Sequence, residues 1–349
     1  MNTFNNKIDF KKIKICKILI LIVLSIIITQ TIELISDSNI IFFKNFCTIF
    51  TSILLEAIPF ILIGSFISSL IQVFVSEEFV TRIIPKNKFL GLLLASLIGI
   101  VFPVCECTIV PITKKLIKKG VPLGVAFTFM LSVPIVNPIV LMSTYYAFYN
   151  KFSIFIIRCV GGILGSILIG YLISLSEGKN SKDICIDKSY YKDKISCTCG
   201  CESGYSIYTY NSKIKLILNH TINELFNIIK YLSIGAFLST LFQLTVSKES
   251  ISSIGNNIVL SVIAMMILAF VLSVCSEADA FIARTFLNEF TVGSIASFLI
   301  LGPMIDIKNA IMLFGNFRRN IIVKLIFYIF TVCYIIGVLV NIIGKLGVI

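Results

Sequence analysis

Residues Val101–Pro111 read VFPVCECTIVP, and Val271–Phe281 read VLSVCSEADAF. Each places a Val-Cys pair and then acids in an apolar run of membrane length. A carboxylate at bilayer depth costs about 2.5–3.5 kcal/mol on insertion scales. A chain that bears this cost twice, at matching places in two halves, has the pattern of a transport site. The two stretches predict an all-α integral membrane protein made of two repeats with broken helices.

Composition points the same way. The 349 residues are 57% hydrophobic and only 14% charged, against about 25% charged in soluble domains. Several apolar runs reach the roughly 20 residues that span a bilayer. The net charge of +12 comes from Lys and Arg placed between those runs, as in positive-inside loops. No basic stripe with interleaved aromatics occurs, so nucleic acid is not an expected partner. The expected partners are the lipid bilayer and a small-molecule or metalloid substrate, and a homo-oligomer stays open. Trp is absent, which leaves Tyr and Phe for an interfacial belt.

About nine membrane-spanning or re-entrant segments are expected, at 13–35, 46–75, 89–105, 121–149, 152–175, 219–247, 257–275, 291–315 and 320–343. Lys7, Lys11, Lys12, Lys14 and Lys17 precede the first without a small-residue cleavage site after it, which reads as a retained helix with a cytoplasmic N-terminus. The division expected is an N-terminal helix at 1–40, a first membrane repeat at 41–175, a polar cytoplasmic loop at 176–218 and a second repeat at 219–349.

The halves align with an offset of about 170 residues. IGSFISSLIQ at 63–72 matches IGAFLSTLFQ at 234–243, VFPVCEC matches VLSVCSE, and Pro134–Asn137 matches Pro303–Asp306. Internal repeats of this kind are common in secondary transporters. The cationic loops differ in sign of bias. Arg82, Lys86 and Lys88 face a counterpart with only Lys248. Lys114, Lys115, Lys118 and Lys119 face only Arg284, whereas Lys151 alone matches Arg318, Arg319 and Lys324. The positive-inside rule therefore gives the repeats opposite orientations. It also makes the segment between Lys88 and Lys114 re-entrant, with about 16 residues of helix descending and about 8 returning at 1.5 Å each.

The candidate site residues follow from depth and helix breaks. Pro103 and Pro111 are expected to break helix on either side of Cys105, Glu106 and Cys107. Broken helices free backbone groups to hold a substrate, and two thiols beside a carboxylate suit soft, thiophilic species. In the second copy, Cys275 is followed by Glu277 and Asp279, which are two apart and do not share a helix face. One acid is expected to line a cavity while the other pairs with Arg284. Asn137 and Asp306 stand at equivalent proline-marked breaks. Glu56, three residues before Pro59, either couples protons or snorkels to the outer surface. Cys197, Cys199 and Cys201 form a C-x-C-x-C trio in the polar loop, where reduced thiols could bind soft metals. Gly161, Gly162, Gly165 and Gly170 have small-residue spacing for close helix packing. No HExxH, P-loop or GxSxG motif is present, so an enzyme is not expected and no cofactor is implied.

Three stretches carry a family resemblance: LLEAIPFILIG at 54–64, PVCECTIVPITKKLIKKGVPLGVAFTFMLSVPIVNPIVLMSTY at 103–145, and CSEADAFIARTF with LGPMIDIKNAIMLFGNFRR at 275–319. The chain resembles the predicted-permease family that includes the trivalent organoarsenical efflux permease. That resemblance implies a multi-pass permease of the bacterial plasma membrane. For the arsenical branch it implies arsenical resistance through efflux by proton exchange. The leading expectation is proton-coupled export of soft metalloid or organoarsenical species. The alternatives are a permease for an unrelated small anion or amphipathic solute, and a membrane scaffold handling thiols or metals.

Overall fold

The computed structural model describes residues 38–74, 87–100, 105–176, 210–245 and 258–345. The expected helix at 13–35 and the Cys197–Cys201 trio lie outside the described residues. Twelve described helices fall into two sets of six. The first set is α1 (Ser38–Phe74), α2 (Lys88–Leu97, closing in a 3-10 turn at Ile98–Ile100), α3 (Glu106–Lys118), α4 (Leu123–Val136), α5 (Pro138–Ala147) and α6 (Phe152–Ser176). The second is α7 (Tyr210–Thr245), α8 (Ile258–Leu272), α9 (Asp279–Thr285), α10 (Val292–Met304), α11 (Ile307–Asn316) and α12 (Arg319–Lys345).

Apolar run length decides which helices can cross. Ile41–Leu70, Phe152–Ser176, Ile217–Leu244, Val292–Asn316 and Arg319–Lys345 are long and apolar enough, and α4 with α5 makes a sixth span bent by 43°. These are six of the expected spans. The segments at 89–105 and 257–275 form helices shorter than a span. α7 starts at Tyr210, so helix continues well into the stretch expected to be polar loop.

Proline placement explains two of the breaks, while Pro103 lies outside the described residues. Pro134 and Pro138 flank the α4–α5 break, where the Asn137 side chain accepts from the Ile139 amide at 3.0 Å. Pro303 precedes the α10–α11 break, where Asp306 accepts from the Asn309 amide at 2.7 Å. Each cap satisfies a donor that the new helix start leaves open. Pro111 behaves otherwise than expected. α3 starts at Glu106 and runs through Pro111 to Lys118, so the returning arm is longer than the expected 8 residues. Pro59 likewise sits inside α1. Pro removes only one backbone donor and kinks a helix that neighbouring packing can hold. α3 is followed by a turn at Gly120, whose φ of +91° favours glycine.

The repeat is visible in packing. α4 lies against α6 with Gly124 on the Gly170 carbonyl, and α10 lies against α12 with Gly293 on the Gly337 carbonyl. A Cβ at Gly170 would collide with Thr128, and one at Gly337 with Ser297. Gly161 and Gly165 let α6 approach α12, so the small-residue spacing does serve close packing.

The two sets run in opposite directions. The equivalent helices α1 and α7 pack side by side. Phe46 on α1 stacks edge-on against Phe237 at 5.3 Å, and the later Ser68 hydrogen-bonds the earlier Glu224 at 2.7 Å. Contacts that rise along α1 and fall along α7 make the pair antiparallel. Equivalent helices that are antiparallel place their repeats in opposite orientation, as the charge bias predicts. Most residues of the α10–α11 span are buried, so it forms the middle of the molecule, while few residues of α1 are buried and it lies at the edge.

Candidate functional site

The site gathers where α3 meets α11 beneath the break after α8. Glu106 is the first residue of α3, placed there by the extended backbone of Cys105. Asp306 caps α11, and Lys308 follows within its first turn. The Lys308 Nζ lies 3.4 Å from Glu106 Oε1 and 3.4 Å from Asp306 Oδ2. All three side chains are at most 1% exposed. Neither Glu106 oxygen, nor Asp306 Oδ2, has a hydrogen-bond partner among the described residues. One ammonium thus stands between two carboxylates from opposite repeats, and each contact is looser than a formed charge-assisted bond of about 2.7–2.9 Å.

A cavity of about 270 Å³ reaches this cluster. Lys308, Ser273, Val274 and Cys275 form its inner wall, α1 contributes Thr48, Ser52 and Glu56, and α7 contributes Gln243. Glu56 is exposed on α1 and faces that cavity. Ser273 has φ +48°, a conformation that costs a non-glycine residue of order 1–3 kcal/mol. Its hydroxyl donates to the Phe270 carbonyl and accepts from the Ile307 amide at 3.1 Å. The left-handed turn therefore ties the end of α8 to the start of α11. From α7, Gln243 donates to the Leu272 carbonyl at 2.6 Å and Ser239 to the same carbonyl at 3.0 Å. The broken end of α8 is thereby satisfied by side chains, as backbone at membrane depth must be.

The thiols are divided. Cys275 lines the cavity. Cys105 and Cys107 are buried and are not among the residues lining it, with Cys105 Sγ 3.7 Å from Thr108 Oγ1. Among the described residues, no group of three or more His, Cys, Asp or Glu is arranged to hold a metal ion. Glu277 is half-buried in the turn before α9, and its carboxylate has no hydrogen bond among the described residues.

Neither Glu277 nor Asp279 is among the residues lining the cavity, and neither pairs with Arg284 among the described residues. Arg284 is exposed. Asp279 instead makes a bidentate pair with Arg158 of α6, at 2.9 and 2.7 Å. The same guanidinium donates to Thr144 Oγ1 at 2.7 Å and to the Ser276 carbonyl at 3.3 Å. Arg158 is fully buried. The planar fork suits this arrangement, and four contacts make it a fixed clasp between repeats.

Lys308 and Arg158 were both missed by the sequence reading. Each is a cation inside an apolar span, and such residues are functional candidates by depth alone. Applied to cations as strictly as to acids, that rule would have found both. A further ion pair joins Lys115 of α3 to Glu224 of α7, whose other oxygen accepts from Ser68 of α1.

The model of the family described as a predicted permease matches residues 42–342. The chain is 45% identical over 287 residues to the UPF0718 protein YcgR of Bacillus subtilis (strain 168), covering 82% of this chain and 94% of that protein. It is 37% identical over 295 residues to a protein of Streptococcus mutans named as a putative two-component membrane permease complex subunit, covering 83% and 94%. A shorter match, 28% over 111 residues, covers 32% of this chain and 32% of the UPF0718 protein YraQ of Escherichia coli (strain K12). No solved structure matches.

Proposed function

Because this chain belongs to the predicted-permease family, we propose that its cargo passes through the cavity beside Lys308 and that proton exchange at Glu106 and Asp306 drives the passage. The observation that carries this reading is one ammonium shared at 3.4 Å by two buried carboxylates, on the wall of a cavity. A proton taken up by either acid frees Lys308 toward the other. A small change in charge would then alter what the cavity holds. Intramembrane acids and their counter-ions commonly form such relays.

The cargo favoured by the lining is a soft metalloid species or its organic form, exported across the bacterial plasma membrane. Cys275 presents a thiol to the cavity, and Cys105 and Cys107, on either side of Glu106 along the chain, supply two more that are buried. Thiolates are the ligands such species prefer. The second reading is a small anion, favoured by Lys308 together with the hydroxyls of Thr48, Ser52 and Ser273 around the same cavity. The Streptococcus mutans relative is named as a complex subunit, and a second subunit for this chain is tested by co-purification.

Uptake of a trivalent organoarsenical into everted vesicles separates the readings. Cys275→Ser, and Cys105→Ser with Cys107→Ser, should lower uptake under the metalloid reading. Organoarsenical uptake that survives the loss of all three thiols sinks the thiol role, and vesicles that take up no organoarsenical but carry a small anion in a manner lost in Lys308→Met sink the metalloid reading and leave the anion.

A further inference from the structure

The two repeats are built alike yet packed unlike. α1 packs on α3 of its own repeat, whereas α7 packs on α11 of its own repeat. Their counterparts, α7 on α9 and α1 on α5, are not packed to a comparable extent among the described residues. The aligned glycines record the same difference. A Cβ at Gly64 of α1 would collide with Thr108 of α3, while one at Gly235 of α7 would meet the Lys308 Cα of α11 at 2.7 Å. The same position in the repeat is thus a close-approach point against two different partners.

The aligned serines differ in step. Ser239 closes the broken end of α8, next to the cavity. Ser68 instead bonds Glu224, which also pairs with Lys115. That three-helix junction lies far from the cavity, since the twelve residues from Glu56 to Ser68 carry α1 about 18 Å. One end of the α1–α7 pair is open around a cavity and the other is sealed by an ion pair. The charge bias places the sealed end, with Lys114–Lys119, on the cytoplasmic side.

We propose that this is one of two packings of the chain, and that the other is reached by the repeats exchanging roles. In the second packing α1 leaves α3 for α5, α7 leaves α11 for α9, the Lys115–Glu224–Ser68 junction opens and the present cavity closes. The faces that would receive the long helices are uncovered here. Ile139 and Tyr146 on α5, the counterparts of Lys308 and Gly315, are 44% and 62% exposed, and Phe281 on α9 is 52% exposed. The counterpart of the present Tyr231–Gly315 contact is Phe60 against Tyr146. The inference rests on the permease reading for its purpose, but not for its geometry.

Distance distributions between spectroscopic labels carried by unnatural amino acids at 60 and 146 test it in the full chain in lipid nanodiscs. The expected result is two populations, the shorter one growing in Glu224→Gln, which loses the charge that seals the junction, and in Ser68→Ala, which loses only a hydroxyl. A single distance, unchanged in folded samples of both variants, overturns the exchange. Two populations in a chain that moves no cargo would keep the exchange and overturn the permease reading instead.

Discussion

Glu106 and Asp279 each open a short helix after a break, and each is met by a cation from the other repeat. Glu106 faces Lys308 at 3.4 Å with its oxygens otherwise unbonded, while Asp279 is clasped by Arg158 at 2.7 and 2.9 Å. The Glu106 pairing is loose and borders a cavity. The Asp279 pairing is buried, with both carboxylate oxygens held by the guanidinium. The division of labour between them makes the following outcomes testable.

Asp306 both caps α11 and faces Lys308, and substitution separates the two roles. Asp306→Asn keeps an oxygen for the Asn309 amide, so stability should change by less than about 1 kcal/mol, while transport should fall severely. Asp306→Ala loses the cap as well and should cost about 1 kcal/mol more. Thermal melting in detergent, set beside vesicle uptake, checks both.

The Arg158–Asp279 clasp should matter for folding rather than for exchange. Arg158→Met leaves a buried carboxylate unmatched and should destabilise by about 3–5 kcal/mol. Adding Asp279→Leu removes the orphan charge and should restore most of the folded yield, because an apolar pair can replace a buried ion pair. A double variant no more stable than the single one would show that the clasp does more than neutralise charge.

Gly235 and Gly120 should answer the same substitution differently. Gly235→Ala pushes a methyl group against the α11 backbone at Lys308, an overpacking cost of about 1–3 kcal/mol that also displaces the site and lowers transport. Gly120→Ala has open space around it and meets only the strain of its φ of +91°, about 1–2 kcal/mol. Its transport per folded molecule should be unchanged. Uptake normalised to folded protein separates the two.

Cys275 and Cys333 are both buried, but only Cys275 lines the cavity. Cys333 is fully enclosed, with its thiol 3.9 Å from Met304 Sδ. A small thiol reagent should modify Cys275 and spare Cys333 in the folded protein, and bound cargo should slow the first reaction. Peptide mass spectrometry after timed labelling reads both sites.

Much of the fold could be read along the chain because span formation depends on local apolar run length. The bent span, the breaks at Asn137 and Asp306 and the opposite direction of the repeats all left local marks, in proline positions and loop charges. Pro111 shows the limit. The residue alone predicts a break, yet the helix continues because packing around α3 holds it.

By itself the sequence determined a two-repeat helical membrane protein with acids and thiols at matching depths, since hydropathy, proline and charge bias act within a few turns. Tertiary structure alone decided which charge meets which. Arg158 and Asp279 are 121 residues apart, and Lys308 joins Glu106 only through the crossing of opposite repeats. Such pairing reflects the desolvation of side chains brought together from distant helices, which no local pattern encodes. The opening motifs VCEC and VCSEAD look alike on the chain, and only the surrounding helices make one a loose, cavity-lined site and the other a closed clasp.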